Sequence, residues 1–324
     1  MLPYNLLLAK VEEAISQLDF NLAPHELYDP ISYTLALGGK RVRPVFTLLA
    51  CDMMGGKIEE ALQPAIACEI FHNFTLLHDD IMDNAPIRRG KETVFRKWNS
   101  NIAILSGDAM FATAYRLLSG IEPDLLPSIL TIFSNTAIQV CEGQQYDMNF
   151  ELVNTVSIPD YLNMIRLKTA VLPAACLQIG AMIAKAKMPD VEYIYQFGEK
   201  IGLAFQLMDD LLDVFGQEAK FGKQCGGDII ANKKTYLYLK AYELADIENK
   251  RKLDLLFSDI HIPDDEKIAG VKKIYETLEV ANHVHRVMDE LYINALQNLD
   301  RISVPEGRKS ELLKFAKKLL SRES

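Results

Sequence analysis

Two short aspartate runs, each closing an apolar stretch, are the part of this sequence best suited to chemistry. Asp79, Asp80 and Asp83 lie in LLHDDIMD, and Asp209, Asp210 and Asp213 lie in FQLMDDLLD. In each run the first and last aspartates are four residues apart. On a helix that spacing sets them on one face, with Cβ atoms about 5–6 Å apart. Carboxylates this close repel, and on a mostly apolar helix they also lose solvation. A bound cation relieves both penalties. Oxygen-only donors open to water suit Mg2+, which keeps several waters and takes one or two carboxylates plus substrate phosphate. One D-D-x-x-D alone reads equally well as a solvated helix end. Two copies after apolar runs are harder to explain that way, and facing each other they would clamp a diphosphate through shared metal ions. Calcium storage is disfavoured, because no EF-hand loop is present. A di-iron bundle needs two Glu-x-x-His motifs, and only Glu69–His72 fits.

Cations accompany the acids. GGKRVRP (38–44) offers Lys40, Arg41 and Arg43 after a flexible turn, with Pro44 where a helix can start. By itself it reads as an ordinary basic turn. Arg88, Arg89 and Gly90 follow the first acidic run. They are either surface ion pairs worth little or a fork for phosphate oxygens. Lys168 and Thr169 interrupt a helix that otherwise reads as buried, and Lys223, Asp228, Lys233 and Lys234 follow the second acidic run. His72 stands seven residues before Asp79, within about 20° of the same helical face; a hydrogen-bonded core histidine is the competing reading. His78 points elsewhere and reads as structural. Glu142, Gln144, Gln145 and Asp147 place polar atoms on a central helix, as cavity lining or as a solvated end.

The elements that must carry these groups are helices. Glycine and proline fall mostly between periodic segments, which predicts helices at roughly 5–20, 42–54, 58–83, 100–119, 122–150, 158–186, 190–216, 234–248, 264–302 and 307–322. No segment shows sustained strand alternation with hairpin turns. Ala61–Leu77, Ala170–Ala184 and Ile201–Leu212 are apolar nearly all round, as helices in the middle of a bundle are. With no repeat and no Pro- or Ser-rich linker, one all-α domain over 1–324 is the simplest expectation.

Composition narrows the function. Hydrophobic residues are 49% of the 324, enough for a sizeable core, and charged residues are 24%, normal for a globular chain. A formal net charge of −9 disfavours a general nucleic-acid binder. Five scattered cysteines without a C-x-x-C argue against a disulfide framework or a structural zinc site and point to the reducing cytoplasm. The N-terminal apolar stretch is too short for a membrane span and lacks a basic leader. The basic C-terminal helix, Arg308–Arg322, reads as a solvated face, with a membrane surface as the alternative.

Together, GGKRVRP (38–44), HNFTLLHDDIMDNAPIRRG (72–90), KTA (168–170), GLAFQLMDDLLDVFG (202–216) and GKQCGGDIIANKKTY (222–236) resemble the trans-isoprenyl diphosphate synthase, or polyprenyl synthetase, family. The resemblance covers roughly residues 30 to 240. It implies the all-α isoprenoid synthase fold, a single large bundle around a central substrate cavity. It also implies a Mg2+-dependent head-to-tail condensation of an allylic diphosphate with isopentenyl diphosphate, and a homodimer. On this chain it implies that Asp79 and Asp83 bind two Mg2+ ions and Asp209 a third, supported by Asp210 and Asp213. Arg88, Lys168 and Lys223 would hold the allylic diphosphate; Lys40, Arg43, His72 and Arg89 would hold isopentenyl diphosphate. Thr169 and Gln206 would turn oxygen dipoles toward the carbocation, and Lys233 would close over the leaving group. The released diphosphate would take the proton.

Product length is set in the family near the fifth residue before the first aspartate, here Phe74. Helical arithmetic puts Thr75 and Phe71 nearer the aspartate face. An aromatic at 74, a small residue at 75 and an uninserted D-D-x-x-D lean toward geranylgeranyl diphosphate, with farnesyl diphosphate next. Simple core packing by Phe71 and Phe74 is the alternative. Two other functions remain. A terpene cyclase or head-to-head synthase need not carry GGKRVRP. A non-catalytic diphosphate-binding subunit would not turn over.

Overall fold

The computed structural model describes residues 2–153, 155–216 and 226–320. Helices make up nearly all of it, as the periodicity predicts. In chain order they are α1 (Tyr4–Ser16), α2 (His25–Ala36), α3 (Val42–Met54), α4 (Ile58–Met82), α5 (Val94–Lys97), α6 (Ser100–Leu118) and α7 (Leu126–Leu152). Then come α8 (Ile158–Ile165), a π-helical turn (Arg166–Ala170), α9 (Val171–Ile183), α10 (Met188–Phe215), α11 (Gly227–Ile230), α12 (Tyr236–Leu244), α13 (Ile247–Ser258), α14 (Asp264–Thr277), α15 (Val280–Arg301) and α16 (Glu306–Leu320).

The chain divides into two compact units. The first holds 1–134, 175–195 and 302–311; the second holds 135–174, 196–301 and 312–324. Helices α7, α9, α10 and α16 each contribute residues to both.

In the first unit α4 packs against α3 and α6. It buries residues on every side, from Ile58 through Cys68 and Phe71 to Leu77 and Asp80, so the polar groups it carries inward need partners. Glu69 has one. Arg41 donates to it at 2.7 Å, with side chains 1% and 3% exposed, and also to Glu12 Oε1 at 3.0 Å and the Leu35 carbonyl at 2.8 Å. The second unit has its own core, in which Leu207, Leu211 and Val214 of α10 join Met164, Leu237, Tyr275 and Met288.

Several features differ from the sequence reading, among them α13, which begins where the helix expected over 234–248 ends. Helix α2 escapes prediction because Pro30 sits inside it, and proline normally ends a helix. The single helix expected over 264–302 is two, broken where Glu279 turns left-handed at φ 51°. Ile87–Arg88 and Lys91–Glu92 pair as a minimal antiparallel hairpin, with Arg89 and Gly90 both at positive φ (52° and 74°), as a two-residue type I′ turn requires. The helix expected over 158–186 carries the π turn. The run 158–183 is also long and apolar enough to cross a membrane, yet 72% of its most apolar window is buried within the protein, the mark of a core helix.

Candidate active site

In the first unit two left-handed loops hold the basic groups. Gly38 (φ 71°), Gly39 (φ 151°) and Arg41 (φ 46°) shape the loop before α3. Arg89 reaches back from the hairpin, donates to the Gly38 carbonyl, and lies so close to Gly39 that a Cβ there would meet its guanidinium at 3.0 Å. Arg43, on the first turn of α3, donates through Nη1 to His72 Nε2 at 3.0 Å. That bond makes Nε2 an acceptor and His72 neutral. Burial and the neighbouring Arg43, Arg89 and Arg88 hold the imidazole well below its usual range. Arg89 is itself depressed, first by burial and further by Arg41, Arg88 and Arg43. Arg43 Nε is buried with no hydrogen-bond partner. Arg89, lowered by burial and by its neighbouring guanidiniums, together with the spare buried N–H of Arg43, makes a site that an anion stabilises.

One cation of GGKRVRP is committed elsewhere. Arg41 is consumed by Glu69 and Glu12. Lys40 is exposed, and its carbonyl accepts from Tyr4 Oη at 2.8 Å.

The acidic run at the end of α4 is split by burial. Asp80 faces inward, 4% exposed, and accepts from Arg88 Nε at 2.6 Å. Burial still wins over that guanidinium and pushes the Asp80 carboxyl up to about 6. Asp79 is half-buried and Asp83 exposed, which leaves the i, i+4 pair on the wetter side. Two turns earlier on the same helix, Phe71 is 1% exposed and sits in a cluster of rings with Phe74, Phe111 and Phe133 at centroid distances of 5.6, 6.0 and 5.3 Å. Phe74 is half-buried against Phe111 and His78. Thr75 donates to the His72 carbonyl. His78 contacts the Ile104 carbonyl at 3.2 Å. Phe111, Tyr115 and Phe133 carry no motif in the sequence; only their aromatic character at helical spacing on α6 and α7 could have suggested them.

The second unit carries a polar cluster of its own. The π turn places Lys168 and Thr169 beside α7 and α10. Two glycines permit the approach: a Cβ on Gly143 would lie 2.3 Å from the Lys168 nitrogen, and one on Gly202 would lie 2.7 Å from Ala170 Cα. A π turn widens the helix by one residue, and such turns concentrate at functional sites. Lys168 Nζ donates to Asp147 Oδ2 at 2.6 Å, both half-buried. Thr169 Oγ1 donates to Gln206 Oε1 at 3.1 Å, and Gln206 Nε2 donates to Asp210 Oδ1 at 2.9 Å.

Asp210 is 3% exposed, and its other oxygen accepts from Tyr161 Oη. The carboxylate that the sequence offers as metal support therefore has both oxygens engaged inside the unit. Burial pushes it up to about 7 against the pull of Tyr161, and burial together with Asp210 pushes the Tyr161 phenol well above its usual range. Asp213 Oδ2 accepts from the Asp228 amide at 3.0 Å. Lys233 lies 3.9 Å from Asp228, and Lys234 donates to the Phe150 carbonyl. A cavity of about 110 Å3 opens among these groups, lined by Asp147, Lys168, Thr169, Gln206 and Lys233. Lys223 lies outside the described residues. Of the polar set on α7, Asp147 reaches this cavity, Gln144 is buried, and Glu142 and Gln145 are exposed. Tyr161 is a member of the site that no motif in the sequence announces.

Among the described residues no three His, Cys, Asp or Glu side chains converge into a closed metal cage. Asp79, Asp83 and Asp209 offer oxygen donors that are half-buried or exposed. Oxygen donors of that kind, in either unit, fit ions whose remaining ligands are water and phosphate.

Residues 24–278 match the family model for polyprenyl synthetase. A geranylgeranyl diphosphate synthase of Methanosarcina mazei is 40% identical over 235 residues, 72% of each chain. One of Sulfolobus acidocaldarius is 35% identical over 90% of this chain and 88% of its own. A crystal structure of a geranylgeranyl pyrophosphate synthase superposes with a TM-score of 0.95, at 44% identity and over 100% of both chains. The basic loops, the two aspartate runs and the Lys-Thr turn all fall within the residues matched, and the chain belongs to the polyprenyl synthetase family.

Proposed function

We propose that this chain is a Mg2+-dependent trans-prenyltransferase that condenses an allylic diphosphate with isopentenyl diphosphate to a short-chain product, geranylgeranyl or farnesyl diphosphate. The observation that carries the reading is the cavity of the second unit. There an ammonium suited to phosphate, Lys168, stands next to two side-chain oxygen dipoles, Thr169 and Gln206. That combination serves a reaction in which diphosphate departs and positive charge develops on carbon.

In this reading Arg88, Lys168 and Lys223 bind the allylic diphosphate, and Lys40, Arg43, His72 and Arg89 bind isopentenyl diphosphate. Asp79, Asp83 and Asp209 hold Mg2+, with Asp210 and Asp213 in support; when bound, the metal neutralises charge on the leaving diphosphate. The C–O bond of the allylic diphosphate breaks heterolytically. Thr169 and Gln206 face the resulting cation with oxygen, and the bound substrates must exclude water that would quench it. The isopentenyl double bond attacks, and the proton lost from the adduct goes to released diphosphate. Neutral His72, accepting from Arg43, orients that guanidinium and is no general base. Lys233 closes over the leaving group. Phe74, with Phe71 and Thr75 beside it, limits the growing chain.

The two units are proposed to act as one domain, since α7, α9, α10 and α16 contribute to both and the family match spans them. A homodimer in the cytoplasm, binding neither nucleic acid nor membrane stably, completes the proposal. Exposed Ile104 and Leu105 on α6, at 42% and 58%, suit burial in a subunit interface.

The test is incubation of the purified chain with Mg2+, isopentenyl diphosphate and allylic primers of increasing length, with products read by mass spectrometry. Products that grow by isoprene units and stop at the farnesyl or geranylgeranyl length are expected. Consumption of the primer without isopentenyl incorporation would favour a cyclase. Binding without turnover would leave a non-catalytic subunit.

A further inference from the structure

The hydrogen-bond chain behind Thr169 has a direction. Thr169 meets Gln206 Oε1, an atom that can only accept, so the threonine hydroxyl proton is spent there and its lone pairs turn away from the glutamine. That direction depends on which end of the Gln206 amide faces Thr169. Were the amide reversed, its oxygen would oppose the Asp210 carboxylate, acceptor against acceptor, and its NH2 would draw on a Thr169 lone pair. Asp210 prevents the reversal by accepting from Nε2 at 2.9 Å. Asp210 is fixed in turn by Tyr161, whose hydroxyl donates to its second oxygen. Tyr161 is 4% exposed and Asp210 3%, so neither exchanges this bond for water. All four side chains border the same cavity.

We infer that Tyr161 is a positioning residue for the reaction. It holds the Asp210 carboxylate so that the Gln206 amide cannot turn over, and thereby keeps the oxygens of Gln206 and Thr169 presented to the cavity. This rests on the prenyltransferase reading above. It assigns the side chain that maintains the dipoles facing the cation, an oxygen on α8 seven residues before Lys168.

The experiment is steady-state kinetics of Tyr161→Phe, Gln206→Leu and the double variant, each checked by circular dichroism and thermal melting, with wild type alongside. Wild-type condensation must be seen first; its absence would sink the parent reading and not this inference. Tyr161→Phe keeps the ring and removes one donor. Its kcat should fall about tenfold, because the loss bears on charge that develops only in the transition state, while KM for both diphosphates stays within about twofold. In the Gln206→Leu background the same replacement should cost almost nothing more, since side chains acting in series are not additive. Replacing Tyr161 with 4-aminophenylalanine, which keeps a donor at that position, should hold kcat within about threefold of wild type. That variant decides the matter if the phenylalanine chain does not fold: a drop of about tenfold or more in a folded 4-aminophenylalanine chain would overturn the inference. So would an unchanged kcat in Tyr161→Phe, a loss confined to KM, or full additivity with Gln206→Leu.

Discussion

Replacing Arg41 with methionine should cost stability and spare catalysis, although Arg41 lies in the same basic motif as Lys40 and Arg43. Its guanidinium is 1% exposed and bonds to Glu69, itself 3% exposed, at 2.7 Å. Removing it leaves Glu69 buried without its charged partner, although the Asn73 amide still donates to it at 3.1 Å. Breaking a buried pair from one side costs about 3–5 kcal/mol. Unfolding entropy is about 2.1 cal/mol/K per residue, or about 0.7 kcal/mol/K over 324 residues, so Tm should fall by about 4–7 °C, and by more if the first unit melts alone. Glu69→Leu combined with Arg41→Met should regain most of the loss, because an apolar pair carries no stranded charge. Differential scanning calorimetry gives the first quantity and steady-state kinetics well below the transition gives the second, with KM for isopentenyl diphosphate expected within about twofold of wild type. A chain with unchanged Tm and a KM raised about tenfold would refute the reasoning and make Arg41 a substrate ligand.

Asp79→Ala and Asp209→Ala should each leave the circular dichroism spectrum unchanged and lower the rate at least about a hundredfold, some 3 kcal/mol, and chelating Mg2+ should silence the wild type. Arg88→Ala should raise KM chiefly for the allylic substrate, whereas Lys40→Ala and Arg43→Ala should act on isopentenyl diphosphate; equal effects on both substrates would undo that division. Phe74→Ala should lengthen the product ladder seen by mass spectrometry. Phe71→Ala, at a core position, should instead destabilise by about 3–5 kcal/mol with the ladder unchanged. Gly143→Ala should cut kcat sharply in a chain that still folds, because its Cβ would lie 2.3 Å from the Lys168 nitrogen.

What the sequence disclosed depended on range. Helix α3 runs over 42–54 as its apolar pattern and Gly55 predict, and α4 ends at the aspartates. The helical break at Glu279 has no glycine or proline to announce it. Arg88 with Asp80 is a neighbourly pairing, eight residues apart, that motif spacing suggests. Arg41 with Glu69 spans 28 residues, and Tyr161 with Asp210 spans 49. Such partners are chosen by tertiary packing, which residue type and local periodicity do not encode. Hence the motifs named the charged groups, but could not tell which had already been neutralised inside the fold.

The π turn at Arg166–Ala170 also uses one more residue on a turn than an α-helix does, and absorbs it locally. Deleting a single residue between 166 and 170 would let the segment close as ordinary α-helix, with helical content hardly altered. The later side chains of α9 would keep their faces, including Val171, Ala174, Cys176 and Leu177, each 0% exposed. Only the bulge would go, and with it the aim of Lys168 and Thr169. A length change that a spectroscopist would not notice would thus leave the scaffold standing and take away the tool it holds.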